Sequence, residues 1–196
     1  EAMLLPALAA FMRANPGIRL EIDASDRLVD IIAEGFDAVI RTGEPTDSRL
    51  MGRGLGGFCH LIVAAPTYLA ERGRPQVPED LRNHACLHHR HPGTGKPEPW
   101  PFHRKGHDLA VDLPVAAIAA TAQARAFLAV EGLGIACVPA FVVAPFLSDG
   151  RLVEILAGHV RSAGRFHLIW PAGRNLSPRI RAFVDHMVAH ADPPPG

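Results

Sequence analysis

TAQARAFLAVEGLGIACVPAFVVAPFLSDGRLVEIL, residues 121–156, is the stretch that decides the fold class, because the spacing of its apolar residues changes along the chain. Its first part has the spacing of one helical face, with Phe127 three and Leu128 four residues after Ala124. Thr121 is placed to cap this helix, since its hydroxyl accepts a hydrogen bond from a first-turn N–H. Gly132 suits the position after the helix end, where a positive φ is common.

The second part of the stretch predicts two strands and another helix. Ile135–Val138 is an unbroken apolar run, typical of a strand that is buried on both faces. Pro139 opens a second helix, where its missing N–H does no harm. After a turn at 148–150, Leu152–Leu156 is predicted to be another strand. The alternation of helices and strands indicates an α/β fold with a parallel sheet covered by helices.

Composition excludes several classes of protein. The 196 residues are 48% hydrophobic, enough for one domain or two small lobes. Lys+Arg and Asp+Glu number 20 each, so there is no basic excess for gripping DNA phosphates, and we expect residues outside this sequence to make any DNA contact. No apolar run is long enough to span a membrane, and no secretion signal is present, so a cytoplasmic location without a membrane partner is expected. The three cysteines are far apart and are expected to stay reduced.

The rest of the chain continues the same alternation. Helices are predicted at Leu4–Met12, from Asp26 to Gly35, after Pro66 and after the cap at Ser177, and a short helical turn at Pro78–Leu81. Between these helices, strands are predicted at Ile18–Ile22, Asp37–Ile40, Leu61–Ala64, Cys86–His88, Ala110–Ala120 and Phe166–Trp170. Residues 88–107 form an irregular excursion that is rich in histidine, proline and glycine.

Several short motifs, in order along nearly the whole chain, carry a resemblance to a known family. They are Leu5-Pro6, Asn15-Pro16, Phe36-Asp37-Ala38, Ile40-Arg41-x-Gly43, Asp47-Ser48-x-Leu50, Ala65-Pro66-x-Tyr68-Leu69, Trp100-x-Phe102, Gly132-Leu133-Gly134 and Leu176-Ser177-Pro178-Arg179. In this order and spacing the chain resembles the effector-binding domain of LysR-type transcriptional regulators. The resemblance implies two Rossmann-like lobes joined by two crossing strands, as in type 2 periplasmic binding proteins.

The predicted lobes are residues 1–64 with 167–196, and residues 65–166. Leu61–Ala64 and His167–Trp170 are the expected crossing strands, and such crossings suit a hinged protein that closes on a ligand. Ligands of open α/β sheets bind beyond the carboxyl ends of strands, where helix N-termini also point. Two places fit this rule, and the resemblance implies that both face the cleft between the lobes. The expected ligand-binding residues are Arg41, Thr42, Gly43, Thr121, Gln123 and His88.

The resemblance also implies partners. We expect a small effector, polar or anionic, and a homodimer or tetramer that uses the helix Leu28–Gly35 and the helix after Pro66. DNA contact is expected only through an N-terminal winged helix-turn-helix, which is absent from this sequence, as is the family's first strand before Leu5-Pro6. The chain is therefore expected to be part of a longer protein. The alternative is a solute-binding protein of a transport system, which an upstream signal peptide would indicate.

Motifs for other chemistry have simpler explanations. Gly52–Gly57 matches G-x-G-x-x-G but lacks the preceding strand and following helix of a dinucleotide site, so no cofactor is expected. Six histidines lie between His84 and His107 without the recurring spacing of a zinc site, so no metal is expected. No motif places a nucleophile beside a base, so an enzyme is the least favoured interpretation and no catalytic residue is named.

Overall fold

The computed structural model describes residues 4–25, 27, 29–45, 47–91, 93–160, 164–173 and 176–190. Within the chain there are two compact units. The first comprises Glu1–Phe58 with Gly164–Gly196, and the second comprises Cys59–Ala163. The chain thus passes between the units at 58/59 and 163/164, whereas the sequence placed these boundaries at 64/65 and 166/167. No helix among the described residues is long and apolar enough to cross a membrane.

The second unit is built on a five-stranded mixed sheet with the strand order β7-β4-β8-β3-β9. β4 is parallel to both β7 and β8, while β3 is antiparallel to β8 and β9. A two-stranded hairpin, β5–β6, lies in the irregular segment. The elements are β3 (His60–Ala64), α2 (Pro66–Arg72), a 3-10 helix (Pro78–Asn83), β4 (Cys86–His89), β5 (His103–Arg104), β6 (His107–Asp108), β7 (Ala117–Ala119), α3 (Ala122–Val130), β8 (Ile135–Pro139), α4 (Ala140–Ser148) and β9 (Val153–Ile155).

Strand β8 is buried on both faces, as its apolar sequence predicts. Ile135 and Cys137 belong to one apolar cluster, with Trp100 and Phe102, while Ala136 and Val138 belong to another, with Leu87. The side chains of a strand alternate between the two faces of its sheet. Each cluster therefore covers one face, and this burial explains why β8 carries no polar residue.

Helix α3 begins and ends where the sequence predicts. Its buried residues, however, are not the three whose spacing indicates a common face. Thr121 Oγ1 accepts a hydrogen bond from Ala124 N at 3.2 Å, and Gly132 follows the helix with φ +72°. The buried residues of α3 are Arg125, Ala126 and Ala129. Phe127, which has helical spacing with Ala124 and Leu128, is 61% exposed. Helical spacing identifies residues on a common face, but the tertiary contacts decide which face is buried.

The first unit has a three-stranded antiparallel sheet with the order β1-β10-β2. Helices α1 and α5 contact each other, and their apolar residues pack with Leu168 and Trp170 of β10. Ser177 Oγ accepts from Ile180 N at 3.3 Å, which confirms the predicted cap of α5. The elements are α1 (Leu5–Ala14), β1 (Val39–Thr42), β2 (Leu50–Phe58), β10 (Gly164–Pro171) and α5 (Pro178–Ala189).

Two predictions for the first unit are wrong. Ile18–Ile22 has no regular secondary structure and pairs with no strand among the described residues, and Ile22 is 51% exposed. The predicted helix that ends at Gly35 is a single turn at 31–35, in which Asp30 Oδ1 accepts from the N–H groups of Ile32 and Ala33. Its expected cap, Asp26, and Leu28 lie outside the described residues. A regular strand or helix needs a partner surface, because local propensity stabilises short elements weakly.

The glycine-rich run Gly52–Gly57 lies inside strand β2. Its residues pair with β10 in antiparallel register, with an irregularity between Phe166 and His167. A strand here does not form the phosphate-binding turn of a dinucleotide site, which needs a strand before the glycines and a helix after them. The match to the G-x-G-x-x-G pattern is therefore explained by a glycine-rich edge strand.

Candidate functional site

One edge of the second unit's sheet collects the carboxyl ends of three strands. β4 lies between β7 and β8 and is parallel to both, so His89, Ala119 and Pro139 end their strands on the same side. β3 runs in the opposite direction and brings His60, its first residue, opposite Pro139. In open α/β sheets such an edge is the usual place for a ligand.

Thr121 and Gln123 lie at this edge because β7 leads directly into α3. Both side chains are exposed, and Thr121 is the N-cap of the helix. The first N–H groups of a helix have no intrahelical acceptor, and the helix N-terminus carries a partial positive charge. Thr121 therefore combines a hydroxyl with a local field that favours a negatively charged group.

The two neighbouring histidines of β4 have different surroundings. His88 is 4% exposed, its Nε2 lies 3.0 Å from the carbonyl oxygen of Pro114, and its ring lies 5.7 Å from that of Trp100. His89 lies at the strand end, where its Nδ1 is 2.6 Å from Glu98 Oε2 and its Nε2 is 3.0 Å from the carbonyl oxygen of Ala120. A ligand contact by His88 remains a prediction, and the geometry favours His89 for that role.

Sequence reasoning missed three charged or titratable residues of this edge. Arg125 is 6% exposed, and its Nη1 donates to the carbonyl oxygen of Cys137 at 2.6 Å. Burial lowers the pKa of His60, the positive charge of Arg125 lowers it further, and Glu98 opposes both effects. The hydrogen bond with His89 lowers the pKa of Glu98. Only Arg125 carried a sequence signal, since it follows the cap Thr121 by one helical turn.

The predicted residues of the first unit lie at the end of β1. Arg41 and Thr42 belong to the strand rather than to the loop after it, and Gly43 follows with φ +85°. Arg41 is half-buried and lines an open cavity of about 350 Å³ together with Asp30 and Asp47. The expectation that Arg41 and Thr121 contact one ligand in a shared cleft remains a prediction.

Clusters of potential metal ligands and two buried cysteines are the remaining candidates for chemistry among the described residues. No set of three or more His, Cys, Asp or Glu side chains among them is arranged to hold a metal ion. Burial raises the pKa of both Cys86 and Cys137 to about 12. These two thiols are therefore protonated and unreactive at neutral pH.

A two-unit α/β chain with a helix N-terminus at the carboxyl ends of parallel strands has the architecture of proteins that bind a ligand at such an edge. Comparison with known proteins then gives the family. The model of the LysR substrate binding domain matches residues 1–192, and the chain belongs to this family.

Individual relatives agree with the family. The chain is 34% identical over 191 residues to YhjC, an uncharacterised HTH-type transcriptional regulator of Escherichia coli (strain K12), covering 94% of this chain and 62% of the relative. It is 33% identical to the HTH-type transcriptional regulator PtxR of Pseudomonas aeruginosa, covering 93% of this chain and 58% of that protein. The chain thus spans about 60% of the length of these relatives. They are transcriptional regulators, so the alternative of a transport solute-binding protein finds no support among them.

Solved structures share the fold. The regulatory domain of CrgA, a LysR-type regulator from Neisseria meningitidis, superposes with a TM-score of 0.85 at 28% identity, covering 97% of this chain and 93% of that one. Full-length AphB of Vibrio cholerae gives a TM-score of 0.77 at 25% identity, covering 98% of this chain and 65% of AphB. The predicted fold of periplasmic-binding-protein type is confirmed by these likenesses.

Proposed function

We propose that the chain is the effector-sensing part of a LysR-type transcription regulator and that a small polar or anionic organic molecule binds at the carboxyl ends of β4, β7 and β8. The observation that carries the proposal is the position of Thr121, which caps α3 directly after β7 at this edge. A negative group at a helix N-terminus is stabilised by about 0.3–1 kcal/mol. The chain binds this molecule rather than transforming it.

Nearby positive charge supports an anionic effector. Arg125 is buried and its guanidinium donates to the carbonyl oxygen of Cys137 in the middle of β8, while His89 presents its ring at the end of β4. Buried or half-buried charges act more strongly than exposed ones, because water screens them less. Gln123, in the first turn of α3, adds an exposed amide for hydrogen bonds.

The first unit contributes a second set of proposed contacts. Arg41 offers a planar guanidinium that binds a carboxylate through two parallel hydrogen bonds. Thr42 and Gly43 follow it and offer a hydroxyl and a backbone N–H. We expect Arg41→Ala to lower the affinity for an anionic effector, which calorimetry measures.

Partners of the whole protein are inferred from the relatives. Because these are HTH-type regulators, we propose that DNA is bound by an N-terminal winged helix-turn-helix and that the protein works in the cytoplasm. Self-association as a homodimer or tetramer is proposed through exposed apolar surface on and after α3, where Phe127 is 61% and Leu133 55% exposed. The helix after Pro66 remains a proposed contact, whereas the described part of the expected helix Leu28–Gly35 forms only a turn at 31–35. Light scattering of the isolated chain measures its oligomeric state.

The proposal is tested by ligand affinity in a matched pair of cap variants. A thermal-shift screen of small metabolite acids supplies hits, whose affinities are then measured by calorimetry. Thr121→Val removes the hydroxyl with little change in volume, and we expect binding to weaken by about 0.5–1.5 kcal/mol. The control is Ser177→Ala, because Ser177 caps α5 in the same way. Each variant loses about 0.5–2 kcal/mol of stability, but only Thr121→Val loses affinity. Hits that bind Thr121→Val as tightly as wild type contradict the proposed site.

A further inference from the structure

After β4 the irregular segment folds back, so that its one glutamate, Glu98, lies beside the end of that strand. The N–H of Glu98 donates to the carbonyl oxygen of His89 at 2.9 Å, and the N–H of His91 donates to the carbonyl oxygen of Lys96 at 2.8 Å. These backbone bonds fold the segment back on itself. They place the side chain of Glu98 at the proposed effector site, beside the end of β4.

The ring of His89 links Glu98 to the start of α3. Its Nδ1 lies 2.6 Å from Glu98 Oε2, and its Nε2 lies 3.0 Å from the carbonyl oxygen of Ala120, the residue before the cap Thr121. Each ring nitrogen thus faces an oxygen acceptor, the arrangement in which a doubly protonated imidazole donates both of its N–H groups. The carboxylate of Glu98 is the acidic partner of this arrangement.

The surroundings of Glu98 are basic. Of the described groups whose charges act on His60, two are basic, Arg125 and His89, and Glu98 is acidic. The hydrogen bond with His89 is the main reason that the pKa of Glu98 is low, and the charges of His91 and His60 lower it further. Glu98 is therefore ionised at neutral pH and supplies a negative charge beside the His89 ring.

We propose that the Glu98 carboxylate is an internal competitor, which occupies the place of the effector's acidic group until a carboxylate or phosphate of the effector displaces it from His89. This inference rests on the proposed function, because it concerns the same edge of the sheet. Displacement is easy because the Glu98 side chain is 47% exposed, whereas that of His89 is 23% exposed. A half-exposed ion pair is weak, and water already competes for it.

Displacement also gives the segment a way to respond to the effector. The carboxylate of Glu98 is the side-chain anchor that holds the returning segment to His89, in addition to the backbone bond. When an effector takes the His89 ring, the segment loses this anchor and keeps the backbone bond between Glu98 and His89. The chain therefore has two arrangements of this segment, and the acidic group of the effector selects between them.

The charge of the effector decides the outcome of one substitution. Glu98→Gln keeps the shape of the side chain and removes its charge. If the effector is an anion that competes with Glu98, this variant binds it more tightly. If the effector is a cation that pairs with Glu98, the same variant binds it more weakly. The two cases give opposite signs, so the measurement separates them.

The experiment uses calorimetry at pH 7 and constant ionic strength with two probes, succinate for carboxylates and inorganic phosphate for phosphates. We expect Glu98→Gln to bind at least one probe about two- to fivefold more tightly than wild type, since an exposed carboxylate pair is worth up to about that factor. The control is Glu79→Gln, which removes a similar carboxylate bonded to Arg104 at 2.6 Å. We expect Glu79→Gln to leave the affinities for succinate and for phosphate unchanged. The probe with the larger gain identifies the acidic group.

Other results overturn the proposal. The proposal is wrong if Glu98→Gln binds both probes no more tightly than wild type does. It is also wrong if neither wild type nor Glu98→Gln binds either probe measurably. The proposed function is tested apart from this, in the Thr121→Val variant. Binding that depends on Thr121 but not on Glu98 contradicts the competitor alone. If a probe binds Glu98→Gln more tightly than wild type but binds Thr121→Val as tightly as wild type, only the Thr121 site is contradicted.

Discussion

In the second unit two apolar clusters are buried on the faces of a five-stranded sheet, while in the first unit one cluster packs helices α1 and α5 against three antiparallel strands. The apolar segment Ile135–Pro139 has neighbours on both sides and forms β8. The alternating segment Ile18–Ile22 has no paired strand among the described residues and no regular secondary structure. Strand formation in this molecule thus depends on the available partners as much as on the sequence pattern.

The largest expected effect comes from comparing a core residue of the second unit with an exposed residue of the first unit. Leu87 of β4 is 2% exposed in a packed cluster, so Leu87→Ala should lower the free energy of unfolding by about 2–5 kcal/mol. Ile22 is 51% exposed, and Ile22→Ala should change it by no more than about 0.5 kcal/mol. Urea unfolding measures both values. A loss of several kcal/mol in Ile22→Ala would show that residues 18–22 are packed in solution and would remove the contrast between the units.

A smaller effect is expected at the glycine before β8. A Cβ at Gly134 would lie 2.5 Å from the carbonyl oxygen of Ala85, which is fixed because it accepts from Ile135 N at 2.8 Å. Gly134→Ala should therefore destabilise the second unit by about 1–3 kcal/mol, since the backbone must shift. Gly17 of the first unit has no atom within 4 Å of a built Cβ, so Gly17→Ala is the matched control and should be neutral or slightly stabilising. Equal stability of the two variants would mean that the Gly134 contact relaxes at little cost.

Local chemistry made much of the fold predictable. Thr121 and Ser177 were identified as helix caps because the bond that a cap makes spans three residues of sequence. The same holds for Gly132, whose positive φ ends a helix whatever the surroundings. The double burial of Ile135–Val138 was also predicted, because an apolar run leaves no polar face to expose.

Other features depend on contacts between distant residues and could not be predicted. Phe127 has helical spacing with Leu128 and Ala124, yet the packing of α3 buries Arg125 instead. Strand β2 lacks side-chain alternation, so its glycines gave no strand signal, and only pairing with β10 defines it. At the candidate site, His88 and His89 are equivalent in sequence. The return of Glu98 distinguishes them, and no local pattern predicts that return.

The smallest expected effect compares two ion pairs, one in each unit. In the first unit Asp47 and Arg49 are two residues apart, and the hydrogen bonds from Arg49 lower the pKa of Asp47 to about 2. In the second unit the Glu98–His89 pair is nine residues apart and needs the folded segment to form. Only the second pair should therefore contribute fully to the free energy of folding, because a pair of near neighbours persists in part in an unfolded chain.

A double-mutant cycle with Glu98→Gln and His89→Asn should measure this coupling. The folded pKa of Glu98 lies below its usual value of 4.5, chiefly through the His89 hydrogen bond. A lowered pKa means that the stabilisation is fully present above pH 4.5 and is lost as the pH falls through the folded pKa. Since the Glu98 side chain is 47% exposed, the coupling at pH 6 should be only about 0.2–1 kcal/mol. Urea unfolding at pH 6, 5, 4 and 3.5 should show it decreasing toward zero. A coupling that stays constant over this range would mean that His89 does not hold the Glu98 carboxylate in solution, and the basis of the internal competitor would be lost.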